Sequence, residues 1–468
     1  MKSIARRVAF VSLGCAKNLV DSEVMIGKLG GAGWELVADA NEADAVVVNT
    51  CAFIDPAKAE STEAILKQAA SKRPDQRLIV AGCLAQRYGE QLRELIPEID
   101  GIVGTGAYAG IDEVLAEAQA GFSAARLGFT PEPEHDFLPR LVTTPRATAY
   151  LKIAEGCDHP CTFCVIPQLR GPFRSRSRES LLAEARALVD GGVKELILIA
   201  QDSSMYGRDR GVRRGGLAEL LGELSEIEGL EWIRLLYLYP ATVDAELIDA
   251  MARLPKVCKY MDMPLQHAHP EVLRAMRRPS NGERYLELIG EFRARVPGIT
   301  MRSTFIVGFP GEREEHVEYL AGWIARAELD RVGFFSYSRE EGTPAADLPA
   351  QLPAREQRRR LVRLREVQRE ASRRARLRRI GRVERVLIEG TKTLRKDDPL
   401  RAALGAQRVT LGRSQGEAPG VDGAIHFAGE AALGTFAEVT LRGATAFDFF
   451  GSLEAEDAGI SQGFARAL

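Results

Sequence analysis

Residues 44–51 read DAVVVNTC. Three consecutive valines predict a strand buried on both faces, and Cys51 stands where that strand should stop. The pattern recurs, because RRVAFVSLGC (6–15) ends at Cys15 and QRLIVAGC (76–83) ends at Cys83. The three cysteines are spaced by roughly the length of one βα unit. Helical spacing between them, as in DPAKAESTEAILKQAA (55–70), makes the connections crossovers and the sheet open and parallel. All three thiols then emerge at one sheet edge, where ligands of open α/β sheets sit. The bland alternative is that each fills a turn as a small buried residue, a common fate of free cysteine. Three equivalent positions weigh against it.

Downstream, the proline- and charge-rich stretch PEPEHDFLPR (131–140) reads as a linker. Six further strands are expected in AYLKIA, KELILIAQ, WIRLLYLY, KYMDMPLQ, TMRSTFIVGF and RVGFFSYS, separated by helical segments. Six βα units predict a partial barrel with its active site at the carboxyl ends of the strands. The arginine-dense segment 355–379 carries Leu361, Leu364 and Val367 at helical spacing. It predicts a long exposed helix, either a solvated connector or a contact with ribosomal or transfer RNA. VERVLIEG, RVTLGR, GAIHFAG and GTFAEVTLRGA then predict a small antiparallel barrel. The expected fold class is α/β. An open parallel sheet occupies 1–125, a partial (βα)6 barrel with its basic helix 145–378, and the small β-barrel 379–450.

The bulk numbers agree with an ordinary globular chain. It has 468 residues, 45% hydrophobic and 27% charged, with a net charge of −2. This excludes a global cationic field of the kind that coats nucleic acid. No window supplies the roughly 18 apolar residues of a membrane span. Lys2, Arg6 and Arg7 precede VAFVSLGC, but that apolar run is too short for a signal peptide. A cytoplasmic, reducing compartment is expected, where seven cysteines point to metal or catalysis rather than disulfides.

The strongest local signal is AEGCDHPCTFC (154–164). Cys157, Cys161 and Cys164 form C-x3-C-x2-C directly after the first barrel strand, a spacing that lets the sulfurs converge on one metal centre. Zinc with His159 as a fourth ligand is the competitor. A three-thiolate iron–sulfur cubane instead leaves one iron open to an exogenous ligand. Cys258 lacks such placement and reads as core.

With Phe163 as the aromatic of C-x3-C-x-aromatic-C, the loop resembles the radical S-adenosylmethionine enzymes. The resemblance implies S-adenosylmethionine on the open iron, cleaved by an electron from the cluster to a 5′-deoxyadenosyl radical. It places Phe163 near the adenine, Gln201 and Asp202 at the cofactor's amino group, and Gly308 where the backbone approaches the nucleoside. The alternative for the last three is ordinary turn residues at strand ends. Two three-cysteine sets in this order resemble the methylthiotransferases, in which an auxiliary-cluster domain, a radical barrel and a TRAM barrel follow one another. This implies two [4Fe–4S] clusters and, with no acid–base handle on an inert C–H bond, a cofactor-supplied radical. Sulfur is delivered by way of the auxiliary cluster and methyl by a second S-adenosylmethionine. No side chain is singled out as catalytic.

One branch of that family modifies an aspartate of ribosomal protein uS12, at the β-carbon, and the other modifies N6-isopentenyladenosine in transfer RNA. SLGCAKNLVDSE (12–23), EGCDHPCTFCVIPQLRGPFRSR (155–176), KELILIAQDSS (194–204), DMPLQHAHPEVLRAMRR (262–278) and GRSQGEAPGVDG (412–423) resemble the first. The mixed charges of the TRAM segment fit it too, since an RNA-gripping barrel should be clearly cationic. The implied partners are uS12, free or in the small subunit, an electron donor such as flavodoxin or ferredoxin, and ribosomal RNA, with no membrane. Ala16 and the insertion TKTLRKDDPLRAALGAQ (391–407) depart from the branch pattern. Arg302 and His267 are expected to line the barrel near strand carboxyl ends, His267 reading equally as a satisfied structural histidine. A reading from another class is a non-catalytic ribosome- or RNA-binding factor with structural metal.

Overall fold

β-Branched runs become strands where both faces find cover. The computed structural model describes residues 6–129, 137–145, 147–445 and 447–453; Lys2 and residues 131–136 of the expected linker lie outside them. β1 (Arg6–Ser12), β2 (Trp34–Leu36), β3 (Ala45–Thr50), β4 (Arg77–Gly82), β5 (Gly101–Val103) and β6 (Ala124–Arg126) form one sheet in the order β2-β1-β3-β4-β5-β6. Every pairing in it is parallel. β3 is buried at each position. Val46, Val48 and Val80 face one apolar layer, while Val47, Ile79 and Ala81 face the other. Helices α1 (Ala16–Gly31), α2 (Asp55–Ser71), α3 (Cys83–Leu95) and α4 (Ile111–Gln119) provide the cover.

All six expected barrel strands are present. β7 (Thr148–Lys152) is followed by a short antiparallel pair, β8 (Ala154–Glu155) and β9 (Arg174–Ser175), that the sequence reading did not anticipate. Then come β10 (Glu195–Ile199), β11 (Trp232–Leu235), β12 (Tyr260–Asp262), β13 (Thr300–Val307) and β14 (Arg331–Ser336). β11-β10-β7 and β12-β13-β14 are parallel triplets, linked by a single parallel bridge between Ile233 and Val257. The result is an open half barrel. Leu196, Leu198 and Leu235 pack outward against helices. Ile197, Ile199, Trp232 and Tyr260 pack with Cys258, Leu387 and Ala418, and with Val20 of α1, so the first and third modules both cover this side. Cys258 is core, as expected.

β15 (Val383–Thr393), β16 (Arg408–Arg413), β17 (Ile425–Phe427), β18 (Phe436–Ala444) and β19 (Phe449–Leu453) close into a barrel in the order β15-β16-β17-β19-β18. One pairing, β17 with β19, is parallel rather than antiparallel. Parity requires it, because strand directions cannot alternate all the way around a closed ring of odd number. The 391–407 insertion folds into the helix Pro399–Leu404, which sets Leu400 against Leu394, Val409 and Phe450.

The basic segment is the helix Ala354–Leu377. Leu361 and Leu364 point into the barrel core. Arg359 and Arg363 pair with Glu314, Arg360 with Glu312, and Arg374 with Glu328. Much of its charge is thus neutralised by the neighbouring helix. Arg355, Arg358, Arg365 and Arg369 are exposed on one face and carry no ion pair among the described residues. No described helix is long and apolar enough to cross a membrane.

Candidate cluster and cofactor site

Parallel strands end at one rim, so the residues that follow them meet. Cys15 is the N-cap of α1, Cys51 follows β3, and Cys83 opens α3. Gly14, at φ 91°, lets the first loop approach the second; a Cβ there would stand 2.9 Å from Cys51 Cβ and 3.3 Å from its Sγ. Asn18 stitches the three loops together. Its Nδ2 donates to Leu13 O at 3.0 Å and Thr50 O at 2.8 Å, and its Oδ1 lies 3.8 Å from Cys83 Sγ. Burial pushes the Cys83 thiol up to about 12 and also raises Cys51. For Cys15 burial is outweighed by the charges of Lys17 and Arg170, which hold the thiol below its ordinary range. All three are free of disulfides.

The second set follows β8. Gly156 takes φ 81°, and a Cβ there would strike Pro172 O at 2.0 Å. Cys157 N donates to Gly171 O at 3.1 Å, Cys164 N to Cys161 O at 3.2 Å, and Ile166 N to Cys164 Sγ at 3.5 Å. Burial pushes Cys157 up to about 11 and Cys164 up to about 12. Arg278 brings Nη1 to 3.9 Å from Cys161 Sγ, with its guanidinium 4.0 Å above the Tyr239 ring. His159 is not a fourth ligand here. Its ring stacks on Tyr239 at 3.7 Å and its Nε2 lies 2.7 Å from Asp202 Oδ2.

Phe163 is half-buried against Met276, Phe309 and Tyr337. Gln201 donates Nε2 to Glu155 Oε1 at 2.7 Å, while its buried Oε1 has no partner among the described residues. Asp202 differs. It is 1% exposed and its oxygens accept from Ser204 N, Ser204 Oγ and Thr242 Oγ1 as well as meeting His159. Those partners fill the carboxylate and hold the loop. Gly308 does adopt a left-handed φ of 81°, but the group packed closest is Gln357, whose Cγ lies 2.4 Å from where a Cβ would stand.

Of the two expected barrel liners, Arg302 needs correction and His267 takes its structural alternative. Arg302 is the third residue of β13, far from its carboxyl end, and is pinned to Asp262 at 2.7 Å beside Asp422 of the third module. His267 is fully buried, accepts from His269 N at 2.9 Å and lies 3.5 Å from Glu312. His269, Glu271 and His316 also come together, within 4.8 Å. However, both His269 and His316 accept a backbone N–H at Nδ1. That fixes the proton on Nε2, which leaves no free lone pair there for a metal. The trio is a hydrogen-bonded cap.

Sequence reasoning missed the polar network between the two cysteine sets. Lys152 Nζ lies 2.8 Å from Glu155 and also binds Asp21. Arg170 lies 2.9 Å from Glu155 and 3.0 Å from Asp21. All four are buried. The only hint in the sequence was a lysine in the otherwise apolar AYLKIA.

The class follows from these sites and the three modules. Residues 7–104 match uncharacterized protein family UPF0004, residues 151–324 the Radical SAM superfamily, and residues 380–453 the TRAM domain. Ribosomal protein uS12 methylthiotransferase RimO of Desulforudis audaxviator is 46% identical over 96% of this chain and 97% of that protein. The protein of that name from Geobacter sulfurreducens is 43% identical over 97% of this chain and 100% of its own length. The chain belongs to the RimO family. Among solved structures, the radical S-adenosylmethionine methyltransferase TsrM from Kitasatospora setae matches with TM-score 0.55 at 18% identity, over 73% of this chain and 77% of that one. OxsB, a cobalamin-dependent S-adenosylmethionine radical enzyme, gives 0.52 at 13% over 73% and 54%. These two likenesses are of fold.

Proposed function

We propose that this chain methylthiolates the β-carbon of an aspartate of ribosomal protein uS12. The observation that carries the reading is a pair of three-thiol sites in one chain, joined by a buried ion network. Cys157, Cys161 and Cys164 would hold the radical [4Fe–4S] cluster, and Cys15, Cys51 and Cys83 the auxiliary one. The residues fit these groups, since six free thiols stand in two sets and Gln201 Oε1 is a buried acceptor with no partner among the described residues. With S-adenosylmethionine the clusters supply the radical, sulfur-transfer and methyl-transfer chemistry.

The chain's own residues bind and orient. Gln201 Oε1 accepts from the cofactor's amino group, Phe163 flanks the adenine, and Arg278 compensates charge at Cys161. Asp202 acts through His159 rather than on the cofactor, and Gly308 admits the Gln357 side chain. The modules divide at 1–125, 145–378 and 379–450. The compartment is the cytoplasm, and the electron donor is of the flavodoxin or ferredoxin class.

To test the activity, reconstituted protein with reductant and S-adenosylmethionine is offered uS12 or unmodified transfer RNA. Mass spectrometry should find methylthio-aspartate in uS12. Methylthio-adenosine with unmodified uS12 would overturn the assignment. The transfer-RNA alternative is not favoured by the full-length relatives.

Ribosomal RNA contact is assigned to the exposed arginine face of the Ala354–Leu377 helix. Arg355 to Arg369 spans about 21 Å at 1.5 Å per residue, suited to a run of phosphates. Replacing Arg355, Arg358, Arg365 and Arg369 with alanine should flatten the salt dependence of small-subunit binding by roughly three to four logarithmic units per decade of salt. Turnover on free uS12 should stay unchanged. An unaltered salt slope would remove this surface from consideration.

A further inference from the structure

The loop that carries the radical cysteines continues into the other module. After Cys164 the chain enters the short helix Ile166–Arg170, where Val165 and Leu169 are buried with Leu84, Ala85 and Ile102 of the N-terminal module. Thr105 Oγ1 donates to Leu169 O. The helix delivers Arg170, which is 1% exposed, to the space behind Cys15, Cys51 and Cys83.

There the guanidinium fork makes three contacts. Nη1 donates to Glu155 Oε2 at 2.9 Å, Nη2 lies 3.0 Å from Asp21 Oδ2, and Nη2 also donates to Asn18 Oδ1. Asn18 is the residue that ties the three auxiliary loops. Glu155 continues the chain of contacts to Gln201 at 2.7 Å. Lys152 and Arg170 balance Asp21 and Glu155, and Lys17 adds a further buried cation beside Cys15. A cubane held by three thiolates adds net negative charge, and Arg170, tied through Asn18 to the three loops, is with Lys17 a buried cation beside it. Lysine could not replace it, because one ammonium does not present a planar fork to three partners.

We propose that Arg170 is the positioning cation of the auxiliary centre, a residue from the radical loop that orients the Cys15–Cys51–Cys83 rim and raises the reduction potential of what that rim holds. The proposal rests on the two-cluster reading above. Net charge and hydrogen bonding around the sulfurs set such potentials, and a desolvated site strengthens the effect.

The test uses full-length protein with both clusters reconstituted, comparing wild type, Arg170→Gln and Arg170→Lys. For each, iron per chain, 5′-deoxyadenosine formation and uS12 methylthiolation are measured. The auxiliary potential and its electron paramagnetic resonance signal are read in a background lacking Cys157, Cys161 and Cys164. Arg170→Gln should keep iron and deoxyadenosine within about twofold, shift the auxiliary potential negative and cut methylthiolation at least about tenfold. Arg170→Lys keeps the charge without the fork, so its potential should lie nearer wild type while methylthiolation stays depressed. An unchanged potential in Arg170→Gln overturns the proposal, as does parallel loss of deoxyadenosine. If Arg170→Gln does not fold, Arg170→Lys decides, and wild-type methylthiolation in it is fatal. Wild-type protein that loads only one cluster would instead sink the two-cluster reading itself.

Discussion

Replacing Cys51 with alanine is expected to lower iron by about four atoms per chain, one cubane of two. Methylthiolation should vanish while 5′-deoxyadenosine still forms from S-adenosylmethionine. The two losses separate because Cys51 belongs to the rim of the parallel sheet, whereas Cys157, Cys161 and Cys164 lie on a loop of the barrel. The substitution removes only a sulfur from a half-buried position, so the sheet should remain folded. Anaerobic reconstitution followed by iron analysis and nucleoside chromatography gives the answer. Full iron in Cys51→Ala would detach that thiol from any cluster and with it the functional reading.

The second large effect concerns stability. Glu195 is fully buried, with Oε1 2.7 Å from Arg234 Nε and Oε2 2.6 Å from Arg413 Nη2. Burial alone would raise its carboxyl, but Arg413 and Arg234 hold it down at about 2. Arg234 also donates to Gln415 O at 2.7 Å, so this one carboxylate ties β10 and β11 to the C-terminal barrel. Glu195→Ala would leave Arg234 buried without its carboxylate and Arg413 with Glu389 alone, at a cost of about 3–5 kcal/mol. Urea denaturation should show that loss, accompanied by early proteolytic release of the C-terminal barrel. Glu195→Gln keeps the shape and part of the hydrogen bonding and should cost less. A loss below about 1 kcal/mol in Glu195→Ala would mean the site relaxes or hydrates.

The chemistry-bearing skeleton was legible because it is local. A valine run ending in cysteine states both a buried strand and the residue at its rim, and C-x3-C-x2-C is a loop that closes on itself. Long-range pairing was not. Lys152 in an apolar strand announces a buried partner, yet nothing nearby says that Asp21 supplies it. Gly308 signalled close approach correctly, but the group approaching is Gln357, brought by a helix whose path no local pattern records. Arg302 was misjudged against the expected strand itself, since TMRSTFIVGF already begins only two residues before it, as β13 does. The basic helix was ambiguous as a run of letters. Its ion pairs with Glu312, Glu314 and Glu328 separate the neutralised face from the bare one.

Glu340, just beyond β14, is buried and receives Lys58 of α2 and Arg87 of α3, each at 2.8 Å. Together with the Ile166–Arg170 helix, this clamps the sheet's rim over the barrel mouth from two sides. A fragment cut between residues 125 and 145 would therefore separate surfaces that are packed and ion-paired in the intact chain. The spacing between the two cysteine sets is thus held by these contacts, and insertion or loss of residues in either clamp should be tolerated far less than in the surface connections.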